Sequence, residues 1–197
     1  KFLVARRLMY WQVYLHHTSV AAEQVLIKLL TRAKMLVANG VELFASPALK
    51  YFLSLDHSSS STITHTLLTH YAALDDSDLL SAIKAWMSSE DKVLNVLCEC
   101  FTHRQLFKSK LLDQPLTVAK KTALREQYAN RFGVSIEDAD YFFVEHISTS
   151  NIYSEKGEAI DILYKDGSVR DIAEASEMLN METLTYKPQK IYLFYLK

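Results

Sequence analysis

Arg6, Tyr10, Tyr14 and His17 recur at three- and four-residue spacing in a stretch, Ala5 to Ala33, that contains no Gly or Pro. At about 100° of turn per residue in an α-helix, they fall within an arc of roughly 80°. One helix face then carries a cation, two phenols and an imidazole, more polar equipment than a core helix needs. The same residues also fit a purely structural reading, a snorkelling cation beside core aromatics whose hydroxyls reach the rim. His16 and His17 point roughly 100° apart on a helix, which argues against the pair ligating one metal.

The elements that must position these groups can be read from pattern. Leu, Ala, Gln, Lys and Arg dominate the leading stretch, and Val25, Leu29, Ala33 and Leu36 repeat at helical spacing, which predicts one long helix ending at Asn39-Gly40. Ser46-Pro47 opens a second helix through Leu49, Tyr51 and Phe52, and the Ser-rich stretch from Asp56 to Thr62 reads as a surface loop. A short helix from Ile63 to Ala73 leads to Asp75, Asp76 and Asp78. These carboxylates precede a helix over Leu79 to Ser88, so they are expected to cap it rather than hold a cation. Asp91 opens a further run whose apolar face is Val93, Leu94, Val96, Leu97 and Phe101.

Arg104 and Lys108 are four residues apart, which predicts that both lie on one side of a helix with Leu106 and Phe107 turned inward. Pro115 marks a break before an amphipathic helix over Thr117 to Arg131, closed at Phe132-Gly133. Beyond this point the period changes. Tyr141 to Ile147 and Ala159 to Tyr164 are strand-like, and Lys165-Asp166-Gly167-Ser168 predicts a tight turn into Val169 to Ile172. A short helix over Ala173 to Leu179 is expected next. The last segment, Lys190 to Leu196, is apolar on both faces and should be a central or covered strand. These patterns predict a mainly α chain with a small α+β lobe and a mixed sheet, divided as residues 1–112 and 113–197.

Composition narrows the class. The 197 residues are 49% hydrophobic with only four Gly and three Pro, as in a helix-rich globular chain. Cys98 and Cys100 stand two apart in a helical pattern and point to different sides, which disfavours a mutual disulfide and a paired metal site. A reducing cytoplasm is the expected compartment, and no apolar run is long enough for a membrane span. His57, His65 and His70 show no ligand spacing. Residues 1–40 carry six Lys or Arg against one acid, residues 101–132 seven against two, and residues 133–182 three against twelve. Two basic blocks can converge on a polyphosphate; equally, each can be a solvated helix face. The near-neutral pI and lack of a basic-aromatic repeat make nucleic acid a weaker partner.

The string LMYWQVYLH with Arg6 ahead of it, and its continuation to Ala33, resembles the long helix that follows the last metal ligand in HD-domain metal-dependent phosphohydrolases. The branch it most resembles is the deoxynucleoside triphosphate triphosphohydrolases, bacterial HD proteins and the mammalian SAM-and-HD-domain enzyme among them. An Arg eight residues before the Tyr of a Tyr-x-His-Lys pattern belongs to the substrate site in that family. The matching positions here are Arg6, Tyr14 and His16, with His17 in place of the Lys. The resemblance extends through Arg104-Gln105-Leu106-Phe107-Lys108, a Leu-x-Asp pattern at the helix near Asp76, and the C-terminal tail.

It implies that Arg6 contacts a triphosphate and that Tyr14 packs near the sugar, with Tyr10 on the same face. It also implies that His16, His17, Arg104 and Lys108 lie near a second, regulatory nucleotide site formed between subunits, and so an oligomer. The fold implied is the helical half of an HD-type bundle followed by the α+β lobe.

HD enzymes hold their metals through a His, a His-Asp pair and a later Asp. None of the seven His here is followed by Asp, and the chain opens at Lys1. The expectation is a C-terminal fragment that binds no metal, has no catalytic residue of its own and is inactive alone, its divalent metal held by the parent. A nucleotide or other phosphate ester is the expected substrate of that parent. Two other function classes compete: a non-catalytic helical scaffold for self-association, and a nucleic-acid-binding protein using the basic first helix.

Overall fold

The computed structural model describes residues 2–55, 63–149, 161–171 and 189–197. The leading helix is not continuous. Helix α1 (Phe2–Met9) passes into a π-helical turn at Tyr10–Tyr14, and α2 (His17–Ala38) starts afresh after Leu15. The aromatic and β-branched run Tyr10-Trp11-Gln12-Val13-Tyr14 has lower helix propensity than its flanks. His16 adopts extended backbone, and its Nδ1 accepts the Thr18 N–H at 3.3 Å, capping α2. Histidine is not among the usual capping residues, so the pattern gave no warning of this break. The single face joining Arg6, Tyr10, Tyr14 and His17 is therefore interrupted.

The later helices start where their caps predict. Ser46 caps α3 (Pro47–Ser54) and Thr64 caps α4 (His65–Ala73). Asp75 caps α5 (Asp76–Trp86) in a reciprocal box with Asp78, so the acidic run does serve as a cap. Asp91 caps α6 (Lys92–Thr102) and Thr117 caps α7 (Val118–Phe132), whose end is closed by Gly133 at φ 61°. The expected loop at residues 56–62 and the expected helix at 173–179 lie outside the described residues.

Three strands form a sheet in the order β1 (Lys108–Leu112), β5 (Gln189–Tyr195), β2 (Phe143–Thr149), and both pairings are antiparallel, where a mixed sheet was expected. The doubly apolar β5 is central: Tyr195 pairs with Lys108 on one side and Phe143 on the other. A 3-10 turn, Asp138–Phe142, takes up Tyr141 and Phe142 from the start of the expected β2. Strands β3 (Asp161–Leu163) and β4 (Val169–Asp171) form the expected hairpin, with Gly167 at φ 82° in its turn.

Strand β1 was not expected, and it corrects the helical placement of Lys108. α6 ends at Thr102, and Gln105 to Phe107 belong to neither helix nor strand before β1 begins at Lys108. The core runs continuously from Val25, Leu29 and Ala33 of α2, through Ile83, Trp86, Leu94 and Leu97 of α5 and α6, to Tyr128, Phe142 and Phe194. Each such side chain contributes about 1.5–3 kcal/mol by leaving water, which holds the helices and the sheet to one another.

Candidate functional site

At the end of α6 the chain turns sharply. His103 N–H donates to Glu99 O, Gln105 N–H donates to Cys100 O at 2.9 Å, and Arg104 between them sits at φ 56°. Arg104 is the one non-glycine residue with positive φ among those described. Such a conformation is costly for a side-chain-bearing residue and tends to persist where the surroundings fix it. Here Phe107, 4% exposed, anchors the following segment in the core, and Lys108 is held in β1 opposite Tyr195. Arg104 is thus projected from the turn and Lys108 from the start of β1, rather than both from one side of a helix.

These two residues line a cleft of about 900 Å³ together with His17, Thr18, Ser109, Arg131 and Lys197. His17 comes from the first turn of α2 and Arg131 from the last turn of α7. The Arg131 guanidinium lies 5.1 Å from the centre of the Phe132 ring. Lys197 follows a latched segment: Tyr128 OH donates to Leu196 O at 2.7 Å, and Leu196 N–H donates to Phe142 O at 2.9 Å.

None of Arg104, Lys108, Arg131 and Lys197 is ion-paired among the described residues, whose salt bridges are Arg32–Asp91, Arg32–Asp138, Lys121–Glu145 and Arg125–Asp140. Four cationic side chains sharing one concavity, none of them paired with a side-chain carboxylate, make a positive potential that favours an anion. A second cleft of about 550 Å³ adjoins it, sharing Thr18, Arg104 and Leu106, with Ala22, Leu80, Ile83 and Phe101 on its apolar walls.

The residues singled out in the sequence separate into two groups. His17, Arg104 and Lys108 come together in the cleft, whereas Arg6 and Tyr14 do not line it. Arg6 is half-buried on α1 and Tyr14 is 57% exposed; the side chain of Tyr10 lies outside the described set. His16 is engaged in capping α2, and its ring lies 4.2 Å from that of His17. The cleft draws Arg104, Lys108 and Arg131 from the second basic block, and among the described residues no Lys or Arg of the first block lines it. Arg131 and Lys197 were missed: they are far from Arg104 in sequence, and only the antiparallel pairing of β1 with β5 brings the chain's end here.

Arg32 was missed for a similar reason. Its guanidinium, 7% exposed, bridges Asp91 of the α6 cap and Asp138 of the 3-10 turn, 59 and 106 residues away. It also lies 5.3 Å from the centre of the Tyr141 ring. Burial alone raises the Asp91 carboxyl, but hydrogen bonds and charge from Arg32 outweigh it and hold Asp91 below its ordinary value. This triad ties α2 to the α6 cap and the 3-10 turn; it lines neither cleft described above, although Asp91 borders a third, of about 570 Å³, beside Trp86 and Phe44. Cys98 and Cys100 are free and buried, their thiols pushed up by burial to about 12 and about 11, so neither is a ready nucleophile. His70 stacks on Tyr51 at 4.2 Å. Among the described residues no three His, Cys, Asp or Glu are grouped so as to hold a metal, and no helix is long and apolar enough to cross a membrane.

No protein-family model matches the chain. The chain is 36% identical over 107 residues to the uncharacterized protein YwfO of Bacillus subtilis (strain 168), a match covering 54% of this chain and 23% of that protein. It is similar over 100% of its length to a crystal structure of a phosphohydrolase from Bacteroides thetaiotaomicron VPI-5482, with 43% identity and a TM-score of 0.86. The chain spans 49% of that phosphohydrolase and about a quarter of YwfO, at 23%. In sequence and in fold, then, the whole of this chain is similar to about half of a phosphohydrolase.

Proposed function

We propose that this chain is the C-terminal half of an HD-type phosphohydrolase that releases triphosphate from deoxynucleoside triphosphates. The observation that carries this reading is the 43% identity and TM-score of 0.86 to a phosphohydrolase across the full chain. Arg6 stabilises charge developing on the phosphoryl oxygens, and Tyr14, with Tyr10 nearby in sequence, packs against the sugar. The divalent metal that such hydrolysis uses activates water and neutralises phosphate charge. The described residues offer no group suited to hold it, so under this reading its ligands lie on the remainder of the polypeptide.

The basic cleft has a separate role as a regulatory site, where His17, Arg104 and Lys108 bind the phosphates of a second nucleotide, with His16 capping the helix beneath it. Subunits assemble around that site. The test is triphosphate release from deoxynucleotides by the polypeptide that joins this chain to its metal-binding residues. Arg6→Ala is expected to lower the rate by about 100-fold, in the range for removing one electrostatic stabiliser. An unchanged rate removes Arg6 from the substrate site.

A second reading, a non-catalytic self-association module, draws on Leu8, Met9 and Val13, which expose 51%, 50% and 54% of their surface along the leading segment. Exposed apolar side chains, where they cluster, mark contact faces. Sedimentation velocity at several concentrations decides it, since a strictly monomeric chain excludes self-association.

A further inference from the structure

We infer that Arg131, from the last turn of α7, is a phosphate-binding residue that forms a second wall of the basic cleft, opposite in origin to the Arg104–Lys108 wall. The ligand class is a linear polyphosphate long enough to touch both walls. The inference rests on the reading of the cleft as an anion site, and it adds a residue that lies outside the motif carrying the resemblance.

Arg131 is set up for this role by its surroundings. Its guanidinium is held 5.1 Å from the centre of Phe132, and Phe132 is fixed in turn by Phe142 at 4.3 Å and by a near-parallel Tyr128 ring at 6.2 Å. A guanidinium held over a packed ring is limited in its motion and keeps N–H donors that can contact phosphate oxygens. Arg125 on the same helix makes a useful contrast, because its Nε and Nη2 both donate to Asp140 at 2.8 Å. Arg131 has no such carboxylate among the described residues, and it lines the cleft.

Position in the fold adds a second argument. Arg104 and Lys108 belong to the α6–β1 turn, whereas Arg131 belongs to α7, and the Tyr128 hydroxyl of α7 also pins Leu196 beside the cleft.

Inorganic triphosphate and inorganic phosphate, each titrated calorimetrically into the full 197-residue chain, test this. The wild type should bind triphosphate more tightly than phosphate. Arg131→Gln should weaken triphosphate binding by roughly tenfold, the effect of losing a charged hydrogen bond, and leave phosphate binding within about twofold. Arg131→Lys should restore part of the loss, because it returns the charge without the fork. The exposed position of Arg131 leaves folding intact, which a matching circular-dichroism melt verifies. If Arg104→Gln weakens triphosphate binding but Arg131→Gln does not, the second wall is wrong and the cleft reading stands. If the wild type binds no triphosphate, the cleft reading and the second wall fall together.

Discussion

Arg32 is among the most buried charged side chains described, and its two carboxylates are what allow it to remain there. Removing one member of such a cluster leaves the other charges desolvated and unpaired, so Arg32→Ala is expected to cost about 3–5 kcal/mol of unfolding free energy in urea. Acid titration supplies a second readout. The folded Asp91 carboxyl sits below its ordinary value, since Arg32 overcomes the effect of burial. Its contribution is therefore fully present above the unfolded carboxylate value of about 3.9, and is lost as pH falls through the lower folded value. Without Arg32, burial is opposed only by the backbone N–H groups of Val93 and Leu94 at the helix cap, so the carboxyl is held down less and the variant should lose less stability than the wild type as pH falls below about 4. Chemical denaturation at a series of pH values checks both statements.

Among the elements, the α6–β1 turn carries the clearest conflict between backbone preference and side-chain use. Arg104 occupies left-handed backbone, where glycine is the unstrained choice. Arg104→Gly is expected to stabilise the fold by up to about 1 kcal/mol in urea unfolding, while weakening triphosphate binding by about tenfold. A variant that is destabilised instead shows that the Arg104 side chain holds the turn and that its backbone is not strained. The leading segment offers a parallel lesson, since its propensity favours helix on both sides of Tyr10–Tyr14 yet the backbone widens there and restarts at a histidine cap. Capping by an imidazole depends on one hydrogen bond to Thr18, a local choice that hydrophobic periodicity does not encode.

For the whole molecule, the cleft joins α2 and the α6–β1 turn to α7 and the end of β5. A polyphosphate bound there contacts elements drawn from both halves of the chain, and binding to the folded state alone raises stability by mass action. At a concentration 100 times its dissociation constant, inorganic triphosphate should add about 2.7 kcal/mol, seen as a higher melting temperature. Because the attraction is between exposed charges, the increment should shrink as salt rises from low ionic strength toward 1 M, where the screening length is only about 3 Å. A melting temperature that ignores both triphosphate and salt contradicts a cleft governed by charge.

Much of this architecture was already written in local pattern. Ser46-Pro47, Asp75 with Asp78, Asp91, Thr117 and Gly133 mark helix ends because each satisfies backbone groups within a few residues of itself, and the doubly apolar Lys190 to Leu196 demanded a covered strand. His17, Arg104 and Lys108 stood out by spacing, but only resemblance to a known motif grouped them, and the fold places them in one cleft. Strand β1 was decided elsewhere: Lys108-Ser109-Lys110-Leu111-Leu112 has no clean alternation, and it becomes a strand because β5 offers an edge for its backbone hydrogen bonds. The same holds for the Arg32 triad and for Arg131 and Lys197. Their partners are tens of residues distant, and a charge's neighbours across such separations are set by how helices and sheet pack rather than by spacing along the chain.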